Sequence, residues 1–192
     1  MQAPLPENEA ERLEALRELE ILDTEAEESF DDLTRLAVYI CKTPIALITL
    51  IDSDRQWFKS RIKLAPSETS RSISFCAHAI LQPGTMLVPD ALVDERFKDN
   101  PLVVSEPKIR FYAGAPLTTD EGFKIGTLCV IDQVPRELTA GQIAALRTLS
   151  HQAVTLLELR RDVISLNRAL AAEKEKTKLL EDTIHKVRQL VN

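Results

Sequence analysis

Between Ile109 and Asp132 the chain reads IRFYAGAPLTTDEGFKIGTLCVID, two apolar segments separated by a polar turn. The first segment, Ile109 to Leu117, stops at Thr118-Thr119-Asp120-Glu121-Gly122, and the second, Phe123 to Ile131, is rich in Ile, Val, Leu and Phe. Two such runs around a short glycine-bearing turn predict an antiparallel hairpin. Gly114 and Gly126 sit inside the two strands. Glycine there weakens pairing and marks a bulge or the close approach of another backbone or ligand, so the pair is expected to open floor space beneath a pocket.

The rest of the chain supplies partners for this hairpin. Glu7 to Leu22 is helical by pattern, with Leu13, Leu16, Leu19 and Ile21/Leu22 apolar among Glu and Arg, and Asp23-Thr24 breaks it. Thr24 with Glu27 fits a capping box for a second helix carrying Phe30, Leu33, Leu36, Ala37 and Ile40 on one face and stopping before Pro44. Ile45 to Ile51 is a continuous apolar run, as a central strand covered on both faces requires. After the turn at Asp52-Ser53-Asp54, Arg55 to Ile62 makes a second hairpin with it. Ser74 caps a short helix through Leu81, Thr85 to Val88 is a short strand, and the polar, proline-punctuated stretch Asp90 to Glu106 is mostly loop.

Thr139 and Gln142 form another capping box, opening a helical pattern free of Gly and Pro beyond Gly141 to the C-terminus. Its apolar residues alternate by three and four: Leu149, Gln152, Leu156, Leu159, Val163, Leu166, Leu170, Glu173, Thr177, Leu180, Ile184, Val187 and Val191. A seam of that spacing is a coiled-coil heptad, and Lys176 at g facing Glu181 at e favours two parallel chains. Leu156, Leu159, Val163, Leu166, Leu170, Thr177, Leu180, Ile184 and Val187 are therefore the candidate dimer interface. Glu173 and Thr177 soften its middle.

With 192 residues and 44% hydrophobic content the chain accommodates one domain with a true core plus an extension. A net charge of −6, with no Lys/Arg cluster, argues against a nucleic-acid surface. The N-terminus lacks a basic and apolar leader, and no apolar stretch approaches the ~20 residues that span a bilayer. A cytoplasmic location away from membranes is the expectation. Cys41, Cys76 and Cys129 are widely spaced in apolar runs, which suits reduced core thiols better than a disulfide framework.

The hairpin residues RFYAGAPL and IGTLCVID resemble the later strands of the GAF family. The resemblance extends back through Asp52-Ser53-Asp54-Arg55-Gln56-Trp57-Phe58-Lys59, Ser74-Phe75-Cys76-Ala77-His78-Ala79-Ile80, Val88-Pro89-Asp90-Ala91 and Asp99-Asn100-Pro101-Leu102. It covers Ala15 to Arg161 and implies an α+β fold, a central antiparallel sheet of five or six strands flanked by helices. The expected organisation is a helical lead-in over 1–14, a GAF domain over 15–161 and a coiled-coil signalling helix over 162–192. Members of this subgroup sit in bacterial signalling proteins ahead of kinase or cyclic-dinucleotide enzymes, and a terminus inside an unfinished heptad fits a chain that continues into such an output domain.

Pockets of the family lie between the sheet and a loop-rich cover, which makes Trp57, Phe75, Cys76, His78, Asp90, Phe97, Arg110 and Tyr112 the candidate ligand-binding residues. Trp57 and Phe75 serve equally as core aromatics. Strand alternation places Arg110 and Tyr112 on one face, a cation beside a hydroxyl that would suit an anionic ligand, unless Arg110 pairs with Asp90, Asp94 or Asp99 to pin the loop. Cys76 and His78 stand ~200° apart around a helix and cannot chelate one metal.

Bilin-binding relatives attach their chromophore to a cysteine followed directly by histidine, whereas Ala77 intervenes here. The Asn-Lys-Phe-Asp-Glu signature of cyclic-nucleotide-binding relatives is replaced by Asp132-Gln133-Val134-Pro135-Arg136-Glu137-Leu138. A methionine-sulfoxide-reducing branch needs an attacking and a resolving thiol, for which Cys76 and Cys129 are the plausible pair. His185 falls at an outward heptad position without the flanking pattern of a phosphoacceptor.

The sequence thus reads as a non-catalytic, dimeric regulatory module without metal or cofactor. It senses a small molecule or a partner and relays its state through the C-terminal helix to an effector such as a histidine kinase or diguanylate cyclase. A ligand-free dimerisation scaffold is the alternative, and it would show as a filled core with no cavity.

Overall fold

The computed structural model describes residues 2–191, with the side chains of residues 188, 190 and 191 outside the description. Met1–Leu157 form one compact unit and Glu158–Asn192 a second.

The first unit is built on a six-stranded sheet. β1 (Ile45–Ile51), β2 (Arg55–Ile62), β3 (Glu68–Ser70), β4 (Met86–Val88), β5 (Phe111–Thr118) and β6 (Lys124–Asp132) run in the order β3-β2-β1-β6-β5-β4. Every neighbouring pair is antiparallel. All seven residues of β1 are buried, as its unbroken apolar run demands of a central strand. The β5–β6 turn depends on Gly122, whose φ of +90° is open to glycine at no steric cost.

The two glycines of this hairpin answer to different neighbours. A Cβ on Gly126 would meet the Thr49 carbonyl oxygen at 1.9 Å, so glycine there permits the close approach of β1. A Cβ on Gly114 would meet the Tyr112 hydroxyl at 2.0 Å. The space expected as open pocket floor at Gly114 is therefore filled by the Tyr112 ring.

One face of the sheet carries α1 (Glu9–Glu18), α2 (Glu28–Cys41) and the first part of α5 (Ala140–Val191). Leu16, Phe30, Ala37, Leu146 and Ala153 meet Ile48, Trp57, Ala113 and Leu128 in this core. The opposite face is covered by α3 (Phe75–Ala79), α4 (Pro101–Val104) and the loops around them, over a second core that includes Leu47, Phe58, Phe75, Phe97, Tyr112 and Ile131.

Several elements depart from the sequence expectations. α1 ends at Glu18, because Glu20 and Asp23 adopt positive φ. Its Arg12 is fully buried, donates to the Ile51 carbonyl at 2.7 Å and pairs with Glu9 at 2.8 Å. Arg71 joins from the other side, pairing with Glu9 and donating to the Asp52 carbonyl. Burial opposes ionisation of Glu9, but the hydrogen bonds from Arg12 and Arg71 outweigh it and hold the carboxyl at about 2.

The capping box at Thr24 and Glu27 does not form. Glu27 occupies the N-cap of α2 without a side-chain hydrogen bond to the backbone. Thr24 donates instead to the Ile21 carbonyl, and Lys59 Nζ binds Thr24 Oγ1, the Glu25 carbonyl and Glu27 Oε1. The β1–β2 register slips at this point, with Ile48 opposite Ser60 and Thr49 opposite Phe58. Lys59 is thus the extra residue of a bulge, which re-aims side chains, and Ser60 reaches Thr34 and Asp31 on α2. The packed face of α2 consists of Phe30, Leu33, Thr34, Ala37 and Cys41, and Leu36 is exposed.

The stretch expected as loop after Asp90 contains α4, whose Asn100 cap accepts from Leu102 N and donates to the Ile73 carbonyl. The capping box at Thr139 and Gln142 forms as expected, with Gln142 N donating to Thr139 Oγ1 and Thr139 N to Gln142 Oε1.

The second unit is helix. Leu159, Val163, Leu166, Leu170, Leu180, Ile184 and Val187 are each more than half exposed, and Thr177 between them is exposed as well. Leu156, within the first unit, is half-buried against that unit's core. The Val191 side chain lies outside the described residues. Among the described residues no helix is long and apolar enough to cross a membrane.

Candidate functional site

A cavity of about 340 Å³ lies on the face of the sheet away from α1 and α2. Its floor is laid by four strands: Gln56 and Phe58 from β2, Ile45 and Leu47 from β1, Ile131 from β6 and Tyr112 from β5. Phe75 and Cys76 of α3 and Leu102 of α4 form part of its cover, which Leu64, Ala65 and Pro66 complete together with the segment Glu106, Pro107 and Ile109. The walls are mostly hydrocarbon, and the two charged side chains among them, Lys63 and Glu106, are both exposed at the mouth. At this volume the cavity falls at the small end of ligand-binding pockets.

Polar groups enter at one side. Gln56 and Thr69 are directly opposite partners in the β2–β3 ladder, which brings their side chains together on one face. Thr69 Oγ1 is buried and has no hydrogen-bond partner. The Gln56 carbonyl oxygen accepts from the Ser74 hydroxyl, whose oxygen in turn accepts from Ala77 N at 3.0 Å. That chain fixes the amide, leaving its NH2 without an acceptor among the described residues.

Beneath the cover, Cys76 Sγ stands 3.8 Å from Cys129 Sγ and accepts from the Tyr112 hydroxyl at 3.3 Å. Thr49 and Thr127, bonded to each other at 3.2 Å, complete the cluster. Burial opposes ionisation of Cys76, but hydrogen bonds from Cys129, Thr127, Thr49 and Tyr112 draw its thiol down. Burial and the neighbouring Cys76 push Cys129 up, and the Tyr112 phenol rises for the same reasons. At this separation the two thiols are in contact and unbonded.

Of the eight residues selected from sequence, Phe75, Cys76 and Tyr112 line the cavity. Trp57 packs into the core on the α1/α2 face. Phe97 stacks on Phe75 at 3.9 Å, and His78, buried rather than exposed, meets the Phe97 ring edge-on at 4.9 Å. Asp90 accepts from Leu92 N in its own turn. Arg110 precedes β5 and donates to the carbonyls of Val103 and Ile109. It pairs with none of Asp90, Asp94 and Asp99 among the described residues, and Asp94 is held by Arg96 at 2.6 Å. The fixed cation proposed for an anionic ligand is therefore spent on tying α4 to the strand.

Gln56, Thr69, Leu47 and Ile131 are among the cavity residues that sequence reasoning missed. For Gln56 a signal existed: alternation along β2 sets Gln56 and Phe58 on the face opposite Trp57, and choosing Trp57 selected the wrong parity. Thr69 lies in a three-residue edge strand that no periodicity announces.

Comparison with known proteins agrees with this architecture. The GAF domain pattern matches residues 25–157. A cyclic di-GMP phosphodiesterase of Pseudomonas aeruginosa is 50% identical over 133 residues, 69% of this chain, and the match spans 23% of that protein's length. Among solved structures, a domain of a two-component sensor histidine kinase from Sinorhizobium meliloti superposes with a TM-score of 0.59 at 17% identity, covering 73% of this chain and 97% of that one. The GAF domain of a phosphoenolpyruvate-protein phosphotransferase from Acinetobacter gives 0.58 at 19% identity, covering 81% and 98%. On its sequence match, its sheet order and its helical layers, this chain belongs to the GAF domain family.

Proposed function

We propose that the chain is the dimeric sensor module of a cytoplasmic bacterial signalling protein. It binds a small molecule in the cavity above β1, β2, β5 and β6, and it relays occupancy through α5 to an effector. The observation that carries this reading is the cavity itself. Protein interiors are close-packed, and a scaffold needing only to hold two chains together has no reason to keep 340 Å³ open beside an unpartnered hydroxyl.

Dimerisation rests on the row from Leu159 to Val187, seven large apolar side chains exposed at heptad spacing. An apolar stripe of this length marks an interaction surface, and its second copy is the partner that satisfies the spacing. On this reading the sensor domain is the first unit, α1 included, and the signalling helix is the part of α5 beyond it. The 50% identity to a cyclic di-GMP phosphodiesterase supports an effector of the cyclic-dinucleotide class, with this chain supplying regulation rather than catalysis.

The test is sedimentation of the full chain against the double variant Leu166→Lys, Leu170→Lys. A dimer that becomes a monomer while far-UV and near-UV spectra of the sensor domain persist is the expected result; an unchanged dimer places the interface elsewhere.

A second reading has one observation in its favour, the 3.8 Å approach of Cys76 and Cys129. Two thiols and one hydrogen peroxide would yield a disulfide and two waters, converting the cover of the cavity into a cross-link between α3 and β6. Loss of two hydrogens per chain on mild peroxide treatment, abolished in Cys129→Ser, is the outcome that would favour redox sensing.

A further inference from the structure

We infer that the cavity takes an electrically neutral, largely apolar molecule carrying one hydrogen-bond acceptor, seated with that acceptor against Gln56 and Thr69. This inference rests on the sensor reading and narrows it to a ligand class.

Charge comes first. The deep wall offers no cation: the floor is Leu47, Phe58 and Ile131, and the one basic side chain of the lining, Lys63, stands at the exposed mouth opposite Glu106 in sign. A carboxylate or phosphate entering this cavity would shed its hydration and find no cation, since Arg110 is occupied by the carbonyls of Val103 and Ile109. Burying an unpaired charge is costly enough to exclude such ligands.

Polarity comes second. Gln56 lines the cavity at 6% exposure, and because the Ser74 hydroxyl occupies its oxygen, the NH2 is the group it has left to offer. Thr69 Oγ1, its cross-strand neighbour, is buried and unpartnered. Two donors side by side match one carbonyl, ether or hydroxyl oxygen with two lone pairs. Buried polar groups without partners are rare in folded proteins and call for an occupant. The remaining wall, predominantly aliphatic and aromatic, fits the body of the same molecule.

The experiment uses a matched pair of probes, 2-acetylnaphthalene and 2-naphthoate, which share a ring system and differ in charge at pH 7. Each is titrated into the 192-residue chain, previously unfolded and refolded to strip any bound material, while backbone amide resonances are followed. The expected result is that 2-acetylnaphthalene shifts the amides of Gln56, Thr69 and their neighbours in β1 and β6 and binds at least tenfold more tightly than 2-naphthoate. Thr69→Val should weaken the ketone by about fivefold, the loss of one hydrogen bond, leave naphthalene itself unaffected, and be rescued by Thr69→Ser.

Tighter binding of 2-naphthoate at the same amides would overturn the neutral class and leave the sensor reading intact. No shift at the cavity amides with either probe would overturn both. Binding of the ketone undiminished in Thr69→Val would overturn the placement of its acceptor.

Discussion

Gly126 and Gly114 test the close approaches on which the hairpin depends. A methyl at Gly126 runs into the backbone carbonyl of Thr49, which two strand ladders hold in place, whereas a methyl at Gly114 runs into the Tyr112 ring. Gly126→Ala should therefore cost about 3 kcal/mol or more and Gly114→Ala about 1–2 kcal/mol, as overpacking does where the obstacle is rigid or mobile respectively. Equal losses in chemical denaturation would contradict the assignment of the two obstacles.

Glu9 offers a pH signature. Its carboxyl falls from an ordinary 4.5 to about 2 on folding. It therefore binds fewer protons in the folded state, and its contribution is fully present above pH 4.5 and lost as pH falls from there toward 2. The contribution is about 3 kcal/mol at most. Glu9→Gln should reduce stability at pH 7 and flatten the acid limb between those values; a parallel acid limb in the variant would show that the buried Arg12–Glu9–Arg71 cluster is not its source.

At the scale of elements, the proposed relay rests on α5. Polar residues at core positions of a coiled coil lower stability and admit alternative registers, and Glu173 and Thr177 interrupt the apolar row between Leu170 and Leu180. A seam with two near-equal packings can be biased by a ligand that binds one state better. Glu173→Leu with Thr177→Leu should raise the melting temperature of the helical tail and lock signalling output in the longer protein. Unchanged melting would count against a weak point there.

Elements were legible where local rules and tertiary demands coincide. β1 and β2 fall on the residues their apolar pattern marks, and the Thr139–Gln142 cap forms because solvent-exposed helix starts are governed by their own side chains. Reading failed where a distant charge intervened. Lys59, displaced by a bulge, captures Thr24 and Glu27 and dissolves a capping box that the local sequence favours. Arg12, polar by type, is buried because Glu9 and the Ile51 carbonyl await it. The cavity shows the same limit: Thr69 matters only through its register with Gln56, and register across a non-repetitive loop leaves no periodic trace.

For the whole molecule, the fold joins two properties that neither a packed scaffold nor an isolated helix possesses: an open, polar-edged cavity in the first unit and an exposed heptad row in the second. The central claim is that ligand occupancy and dimerisation belong to one device. Native mass spectrometry of the protein, purified rapidly from cells and sprayed intact, tests it most directly when the same sample is then measured after denaturation. The account predicts a dimer heavier than twice the denatured chain, by the mass of one neutral small molecule per subunit. A monomer, or a dimer at the bare sequence mass whose cavity also fails to take up 2-acetylnaphthalene, would contradict it.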